Sequence, residues 1–173
     1  MVYPGRTRNK AVRWEQLPVT AVSAIDAEAY LAWLRQTGQV PGARLCSELE
    51  WERAARGAGA REYPHGDRLL PAEANYDLTY DKVDDGMGPD EVGSHPASDS
   101  PFGVQDLAGN AFEWTTSALT QGGYVARGGS FFYDASTART PNRTTLDAAF
   151  RDVTLGLRVC TSGTHRPSDE TPR

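Results

Sequence analysis

Several features that define large classes of proteins are missing from the sequence. No apolar run approaches the roughly 18 residues of a membrane-spanning helix, so we expect no membrane partner. The first residues, MVYPGRTRNKAV, are basic but have no apolar stretch, so we expect no secretory signal. The formal net charge of −5 is the opposite of the basic balance of nucleic-acid binders. These absences predict a soluble, cytoplasmic protein that does not bind nucleic acid.

Cysteine is also scarce. The two cysteines, Cys46 and Cys160, are too few for a disulfide framework and do not have the spacing of a metal site. A reducing cytoplasm is therefore the default expectation, and the sequence leaves the state of the two thiols open.

Glycine and proline, by contrast, are abundant. The chain has 17 glycines and 11 prolines in 173 residues, which indicates many turns and little regular structure. Residues 57–117 have almost no hydrophobic period, and DKVDDGMGPDE within them is strongly acidic. Such a long irregular segment in a compact domain needs something else to organise it, and bound cations are one answer.

Regular elements are predicted on both sides of that segment. PVTAVS, residues 18–23, indicates a short strand, and Ser23 with Asp26 forms a helix-start pattern that is followed by apolar residues at helical spacing. Ser47 with Glu50 predicts a second helix that ends at Gly57. Further strands are expected near 112–116, 124–127 and 155–160. The chain divides into an irregular 1–17, a domain at 18–160 and a disordered tail at 161–173.

Two loops offer oxygen ligands. In QDLAGNAFEW, Asp106 and Glu113 flank Gly109, which lets the backbone turn tightly, and Ca²⁺ is bound by carboxylate and carbonyl oxygens. In ANYD and DDGM, Asn75 and Asp85 offer side-chain oxygens. Spacing alone leaves the alternatives open, namely an acidic turn before a strand and a solvated acidic loop.

At this point the motifs match a known family. PVTAVSAIDAEAYLAWL, RLCSELEWERAARG, YPHGD, ANYD, VGSHPASDSPFGVQDLAGNAFEW, RGGSF and LGLRV follow one another in the order found in the formylglycine-generating-enzyme, or sulfatase-modifying-factor, family. The resemblance implies an α+β, C-type-lectin-like fold, with two helices packed on a small twisted antiparallel sheet and long loops organised by calcium. We expect the family's N-terminal portion to lack a counterpart before PVTAVS.

The resemblance also implies metal ligands. One or two Ca²⁺ sites are expected, and no copper. The first site would use Asn75, the Tyr76 carbonyl, Asp85 and the Met87 carbonyl. The second site would use Asp106, the Gly109 and Ala111 carbonyls, and Glu113.

The family's catalytic cysteines do not carry over. Copper-binding members resemble this chain around GGS but place cysteines where Tyr133 and Ala138 stand, and soft Cu(I) needs thiolates. Related iron enzymes use a histidine-rich motif in another domain, whereas His65, His95 and His165 are far apart here. We therefore expect no formylglycine-generating activity.

The segment RGGSFFYDASTARTPNR would still border a ligand groove floored by Gly128 and Gly129. Aromatic, hydroxyl and guanidinium groups together suit a peptide, a sugar or a small molecule. The alternative is that the arginines form structural ion pairs and the aromatics belong to the core. The predicted groove residues are Ser130, Phe131, Tyr133, Asp134, Ser136, Thr137, Arg139, Asn142 and Arg143.

Three functions follow. The first is a non-catalytic, calcium-stabilised module that binds a protein, peptide or small-molecule ligand, for example within a bacterial signalling system. The second is the variable ligand-binding protein of a diversity-generating retroelement, whose hypervariable segment would lie at 131–151. The third is a divergent oxidoreductase of the same superfamily. The sequence does not identify the ligand or the oligomeric state.

Overall fold

The structure of the protein, a computed structural model, describes residues 13–80 and 87–161. It contains two α-helices and six strands, so the predicted α+β class and the two helices are confirmed. In chain order the elements are α1 (Ala24–Gln36), β1 (Ala43–Ser47), α2 (Glu48–Arg56), β2 (Phe112–Thr116), β3 (Tyr124–Arg127), β4 (Thr144–Leu146), β5 (Leu155–Leu157) and β6 (Val159–Thr161).

Both helices begin as the sequence predicts. The Ser23 side chain accepts a hydrogen bond from the Asp26 amide, and the Asp26 carboxylate accepts one from the Ser23 amide. Ser47 and Glu50 repeat this capping box at the start of α2. Each box satisfies amides that the first helical turn would otherwise leave without partners. Gly57 ends α2 with a φ of 66°, a conformation that glycine adopts without strain.

The sheet is mixed, so the expectation of an antiparallel sheet is wrong. Its strands run in the order β4, β3, β2, β1, β6, and β5 also pairs with β2. β1 and β5 are both parallel to β2, whereas β3, β4 and β6 pair antiparallel with their neighbours. β1 was not predicted, because it runs directly into the capping box of α2 and has no turn signal between strand and helix.

The strand predicted at 18–23 is also absent from the structure of that segment. Thr20 makes a single bridge to Gly156 instead. A Cβ on Gly156 would lie 2.3 Å from the Val19 carbonyl oxygen, so glycine is required for this close approach. The strands predicted near 112–116 and 124–127 are confirmed, and the one near 155–160 is divided into β5 and β6.

The main core lies between α1 and the sheet. It is built from fully buried side chains that include Leu31, Leu45, Trp114 and Leu155. A smaller cluster lies among the loops, around Tyr63, Tyr76 and Ala138. No helix among the described residues is long and apolar enough to cross a membrane.

The two cysteines are joined. A disulfide links Cys46 on β1 to Cys160 on β6, so the strand at the end of the domain is tied covalently to its neighbour. The sequence left this state open. The predicted cytoplasmic location stays a prediction, and the disulfide weighs against it because cytosolic thiols are normally kept reduced.

The predicted N-terminal and C-terminal segments are only partly described. Trp14–Gln16 form a single 3₁₀ turn, and the Arg13 guanidinium pairs with Glu91 at 2.6 Å. Residues 1–12 and the tail from 162 onward lie outside the described residues.

Candidate functional site

The predicted groove begins at Gly128 and Gly129, directly after β3. Their φ angles are 98° and 75°, which favour glycine. A Cβ on Gly128 would lie 3.1 Å from the Trp51 ring, and one on Gly129 would lie 2.8 Å from Ala138. The glycine pair is therefore required by packing inside the protein, and the expectation that it forms an open groove floor is wrong.

Most of the predicted groove residues have structural partners. Ser130 and Phe131 are buried, and the Ser130 hydroxyl accepts a hydrogen bond from the Phe132 amide. Asp134 caps the 3₁₀ turn Ala135–Ala138 by accepting hydrogen bonds from the amide and hydroxyl of Ser136.

The polar residues at the end of the segment are also engaged. Arg139 pairs with Glu62, Arg143 makes a two-pronged pair with Glu48, and the Asn142 amide donates to a carbonyl. For both arginines the alternative of a structural ion pair is what the structure contains.

Two of the predicted residues, Tyr133 and Thr137, line a cavity of about 260 Å³ that we call the Tyr133 cavity. Its walls are mostly apolar and come from β2, β3, β4 and the loop before β5. The ring of Tyr133 stands edge-on to Phe112, with centroids 5.6 Å apart. The full lining is Phe112, Ala126, Tyr133, Thr137, Thr144, Leu146, Phe150, Asp152, Thr154 and Leu155.

Tyr133 and Ala138 occupy very different surroundings. The Tyr133 side chain is 42% exposed, and its backbone carbonyl accepts a hydrogen bond from the Asp77 amide. Ala138 is fully buried in the small loop cluster. A phenol and a methyl group are not ligands for soft copper. Within the described ranges, no group of three or more His, Cys, Asp and Glu side chains is placed to hold a metal.

The first predicted calcium set is only partly described, because Asp85 lies outside the described residues. Asn75 is fully buried, and its amide nitrogen donates to the Gly88 carbonyl at 2.9 Å. The Tyr76 carbonyl closes a turn by accepting from the Thr79 amide. Met87 is half-buried.

The structure brings the two predicted calcium sets next to each other. Asn75 and Gly109 form an isolated β-bridge, and the Asn110 backbone amide donates to the Asn75 backbone carbonyl at 2.7 Å. A Cβ on Gly109 would lie 2.3 Å from that same carbonyl oxygen. The glycine is therefore needed where the two loops touch.

The second set lies on the wall of a larger cavity of about 520 Å³, which we call the Arg158 cavity. Asp106, Ala111 and Glu113 all line it. The full lining is Pro18, Val92, Gly103, Val104, Gln105, Asp106, Asn110, Ala111, Phe112, Glu113, Gly156, Leu157 and Arg158.

Asp106 and Glu113 differ in how their charges are compensated. Asp106 accepts one hydrogen bond, from the Gly93 amide at 2.7 Å, and its other oxygen has no partner among the described residues. Burial raises the pKa of Asp106, as does the nearby charge of Glu113. Glu113 is held by the Arg158 guanidinium, with a shortest contact of 2.6 Å, and by the Trp51 ring nitrogen at 2.7 Å.

This donor set fits a hard cation in part. Asp106 offers a desolvated carboxylate oxygen, and a Ca²⁺ ion would supply the positive charge that this group lacks. Glu113, however, already has a cationic partner in Arg158. Coordination by both carboxylates therefore requires Glu113 to share its oxygens between Arg158 and the ion.

Sequence reasoning missed a buried polar chain that ends at Glu113, one of the residues lining this cavity. Arg127 is 1% exposed, lies over the Trp51 ring at 5.3 Å and pairs with Glu52 at 2.6 Å. Trp51 in turn donates to Glu113. An arginine directly before the Gly-Gly pair, and another within LGLRV, were the available signals.

Comparison with known proteins agrees with this architecture. The sequence model of one protein family, the sulfatase-modifying factor enzyme 1-like domain, matches residues 3–162. The inactive C-alpha-formylglycine-generating enzyme 2 of Bos taurus is 37% identical over 171 residues, covering 90% of this chain and 53% of that protein. The hercynine oxygenase of Mycobacterium tuberculosis is 37% identical over 123 residues, covering 66% of this chain and 26% of that protein.

Solved structures share the fold. Treponema denticola variable protein 1 superposes with a TM-score of 0.71 at 19% identity, covering 90% of this chain and 76% of that chain. The C-type-lectin-like fold expected from the resemblance is thereby confirmed. The chain spans about half the length of the inactive enzyme it matches. It belongs to the family of sulfatase-modifying factor enzyme 1-like domains.

Proposed function

We propose that this chain is a non-catalytic ligand-binding module of its family, and that its ligand enters the Tyr133 cavity. One observation carries the proposal. The position aligned with the first copper cysteine holds Tyr133, whose ring forms a wall of an apolar cavity instead of a metal site. An aromatic wall of this kind buries a large contact area at little entropic cost.

The lining favours one kind of ligand. Phe112, Leu146, Phe150 and Leu155 provide apolar contact, and Asp152 adds a carboxylate at the same cavity. A volume of about 260 Å³ accommodates one large side chain better than a whole cofactor. We therefore favour a peptide or protein ligand that inserts an apolar or aromatic side chain.

The binding test uses a peptide selected from a display library on the whole chain. Tyr133→Ala is expected to weaken that peptide by about 5–30-fold, because an anchor side chain contributes about 1–2 kcal/mol. Tyr30→Ala is the matched control, since Tyr30 on α1 is 47% exposed and lies outside the cavity. Equal loss in both variants, or none in Tyr133→Ala, would contradict the proposal.

A catalytic role is tested separately. The copper-loaded chain is incubated with a sulfatase-motif peptide, and mass spectrometry follows conversion of the peptide cysteine to formylglycine. We expect no turnover above background, because neither Tyr133 nor Ala138 supplies a thiolate. Turnover would revive the alternative of a divergent oxidoreductase.

Calcium is proposed as a structural partner of the module. Asp106 and Glu113, with the Ala111 carbonyl on the same cavity wall, would hold the ion, and Asn75 with Tyr76 would border a neighbouring site. The ion would supply charge compensation to the loops and no chemistry. A bacterial signalling context and a cytoplasmic location remain proposals of the same kind.

The retroelement alternative is favoured by one feature of the segment 131–151. Several of its side chains, including Phe132, Tyr133 and Phe150, are exposed and could vary without loss of the core. A near-identical template repeat and a reverse-transcriptase gene beside the coding sequence would support it. Their absence from the complete locus would exclude it.

A further inference from the structure

Ion pairing sets two arginines apart from most of the others. Eight described arginines form ion pairs with carboxylates, from Arg13 with Glu91 to Arg158 with Glu113. Arg53 and Arg61 make no ion pair and no side-chain hydrogen bond with any described residue. In a chain with a net charge of −5, two guanidinium groups without a carboxylate partner that both lie beside the loop 57–59 need an explanation.

Arg53 lines a surface cavity, which we call the Arg53 cavity, and Arg61 lies against a residue of its lining, Gly57. The cavity has a volume of about 320 Å³ and is formed by the last turns of α2 and the loop 57–59. Arg53 and Arg56 line it directly. The Arg61 side chain lies against the same loop, with Nη1 3.8 Å from the place a Cβ would take on Gly57.

The loop also presents backbone donors. The amides of Ala58 and Gly59 donate no hydrogen bond to any described residue, and both residues are exposed. Open amides beside several guanidinium groups form a concave arrangement of donors that is typical of oxyanion sites.

The local charge balance is positive although Glu52 lines the same cavity. Glu52 is shared between Arg56 at 3.0 Å and the buried Arg127 at 2.6 Å, so its charge is already compensated. The C-terminal end of a helix carries a partial negative charge, which favours basic residues in the last turn of α2, namely Arg53 and Arg56. It does not explain Arg61, which follows the end of the helix by more than one turn.

We propose that the Arg53 cavity binds a tetrahedral oxyanion, a phosphate or sulfate group that is either free or part of a small ester. Guanidinium groups match such oxygens in pairs, and here Arg53 precedes an open backbone loop in the sequence and Arg61 follows it. The Arg53 guanidinium lies 5.7 Å from the centroid of the exposed Phe102 ring. This contact leaves the N–H groups of Arg53 available to an anion. This site is separate from the Tyr133 cavity and does not depend on the function proposed there.

The test is a titration of the ¹⁵N-labelled chain at low ionic strength with inorganic phosphate, sulfate and O-phosphoserine, and with chloride as the control ion. We expect saturable shifts centred on the amides of Ala58 and Gly59 for the oxyanions and none for chloride. Tighter binding of O-phosphoserine than of inorganic phosphate would identify an esterified ligand, and the reverse order would identify a free ion. Unsaturated shifts, or shifts centred elsewhere, would overturn the proposal.

Variants separate a site from general charge attraction. Arg53→Gln with Arg61→Gln should weaken phosphate at least tenfold, whereas Arg68→Gln should leave it unchanged. Arg68 is an exposed arginine without an ion pair among the described residues; unlike Arg53 it does not line the cavity, and unlike Arg61 it is not among the nearest neighbours of Gly57 or Gly59. Arg61→Lys keeps the charge but loses the planar fork, so we expect an intermediate affinity. If Arg68→Gln lost as much phosphate affinity as the double variant, the binding would reflect general attraction to positive charge, and this would contradict the site.

Discussion

Two halves of the domain are held together by different forces. The sheet half, formed by α1, α2 and the six strands, buries large apolar side chains such as Leu31, Leu45 and Trp114. The loop half, residues 57–80 and 87–111, has no strand and no α-helix among its described residues. Its own apolar cluster is small and contains alanines beside two tyrosines.

Hydrogen bonds from buried polar side chains stabilise the loop half, whereas burial of apolar side chains stabilises the sheet half. The Asn110 amide oxygen accepts from the Asp90 amide at 2.8 Å and from the Asn75 side chain at 3.2 Å, and its nitrogen donates to the Asp90 carbonyl. Both asparagines are buried. A loop that cannot pair with a strand can still satisfy its buried backbone groups in this way.

The sharpest test of this difference is Asn110→Ala. Removing the side chain breaks three buried hydrogen bonds, two with the Asp90 backbone and one with the Asn75 side chain, each typically worth about 1 kcal/mol. The φ of 65° at this position adds strain for alanine. We expect a loss of on the order of 4 kcal/mol in the free energy of unfolding, measured by urea denaturation.

Two matched variants separate the causes. Asn110→Gly removes the strain but not the lost hydrogen bonds, so most of the effect should remain. Asn142→Ala removes one hydrogen bond from a half-buried amide and should cost about 1 kcal/mol or less. If Asn110→Ala were no worse than Asn142→Ala, hydrogen bonding would not be what holds the loop half.

The sheet half was predictable in part from the sequence, and the loop half was less so. Ser23 with Asp26 and Ser47 with Glu50 signal the helix starts locally, and the segments of β2 and β3 were expected as strands. The parallel pairing of β1 with β2 joins residues far apart in sequence, and no local pattern encodes it. The contacts of Asn75 with Asn110 are likewise non-local.

The candidate site was predictable by position and less so by role. The family match placed Asp106 and Glu113 at one site, and both line the Arg158 cavity. The partner of Glu113 is Arg158, which the sequence did not assign. An arginine can line a binding groove or form a structural ion pair, and the sequence around Arg139 and Arg143 does not distinguish the two. In the structure they pair with Glu62 and Glu48, which come from distant segments of the chain.

The disulfide lies inside the sheet half, where it packs against the loop half, and it offers the next largest effect. Cys46 packs with Trp51 of α2 and Leu107 of the loop half, and Cys160 lies 114 residues further along the chain. Replacing both cysteines by alanine should cost about 2–4 kcal/mol, because a bond that closes a long loop restricts the unfolded chain.

Urea denaturation measured with and without dithiothreitol checks this prediction. Wild type should lose stability when reduced, and the double variant should be insensitive to the reductant. A wild type equally stable in both conditions would show that the bond contributes nothing, and would remove this objection to a reducing cytoplasm.

Calcium should act at the seam between the halves, since Asp106 belongs to the loop half and Glu113 to β2. An ion present at 100 times its dissociation constant would stabilise the folded state by about 2.7 kcal/mol. We expect chelation to lower the melting temperature of wild type and added Ca²⁺ to restore it.

Asp106→Asn is the informative variant for calcium. It removes a carboxylate that has no cationic partner of its own, whereas Glu113→Gln would also break the pair with Arg158. Asn tolerates the φ of 59° at position 106. The variant should lose the response to calcium, and Asp147→Asn, an exposed carboxylate elsewhere, should keep it. Indifference of wild type to a chelator would contradict the proposed ion.

The smallest expected effect is a pH dependence confined to the loop half. Burial alone lowers the pKa of His95, but its hydrogen bond with Asp90 at 2.9 Å and the charge of that carboxylate leave it raised. A histidine whose pKa is raised on folding stabilises the fold fully below its ordinary pKa of about 6.5. That contribution is lost as the pH rises through the pKa of His95 in the folded protein.

Wild type should therefore melt at a lower temperature near pH 8 than near pH 6. His95→Gln should reduce this difference, while His65 keeps its contact with Glu73 in both proteins. A difference of the same size in His95→Gln, or a wild type more stable near pH 8, would mean that the ion pair with Asp90 does not contribute to holding the loops.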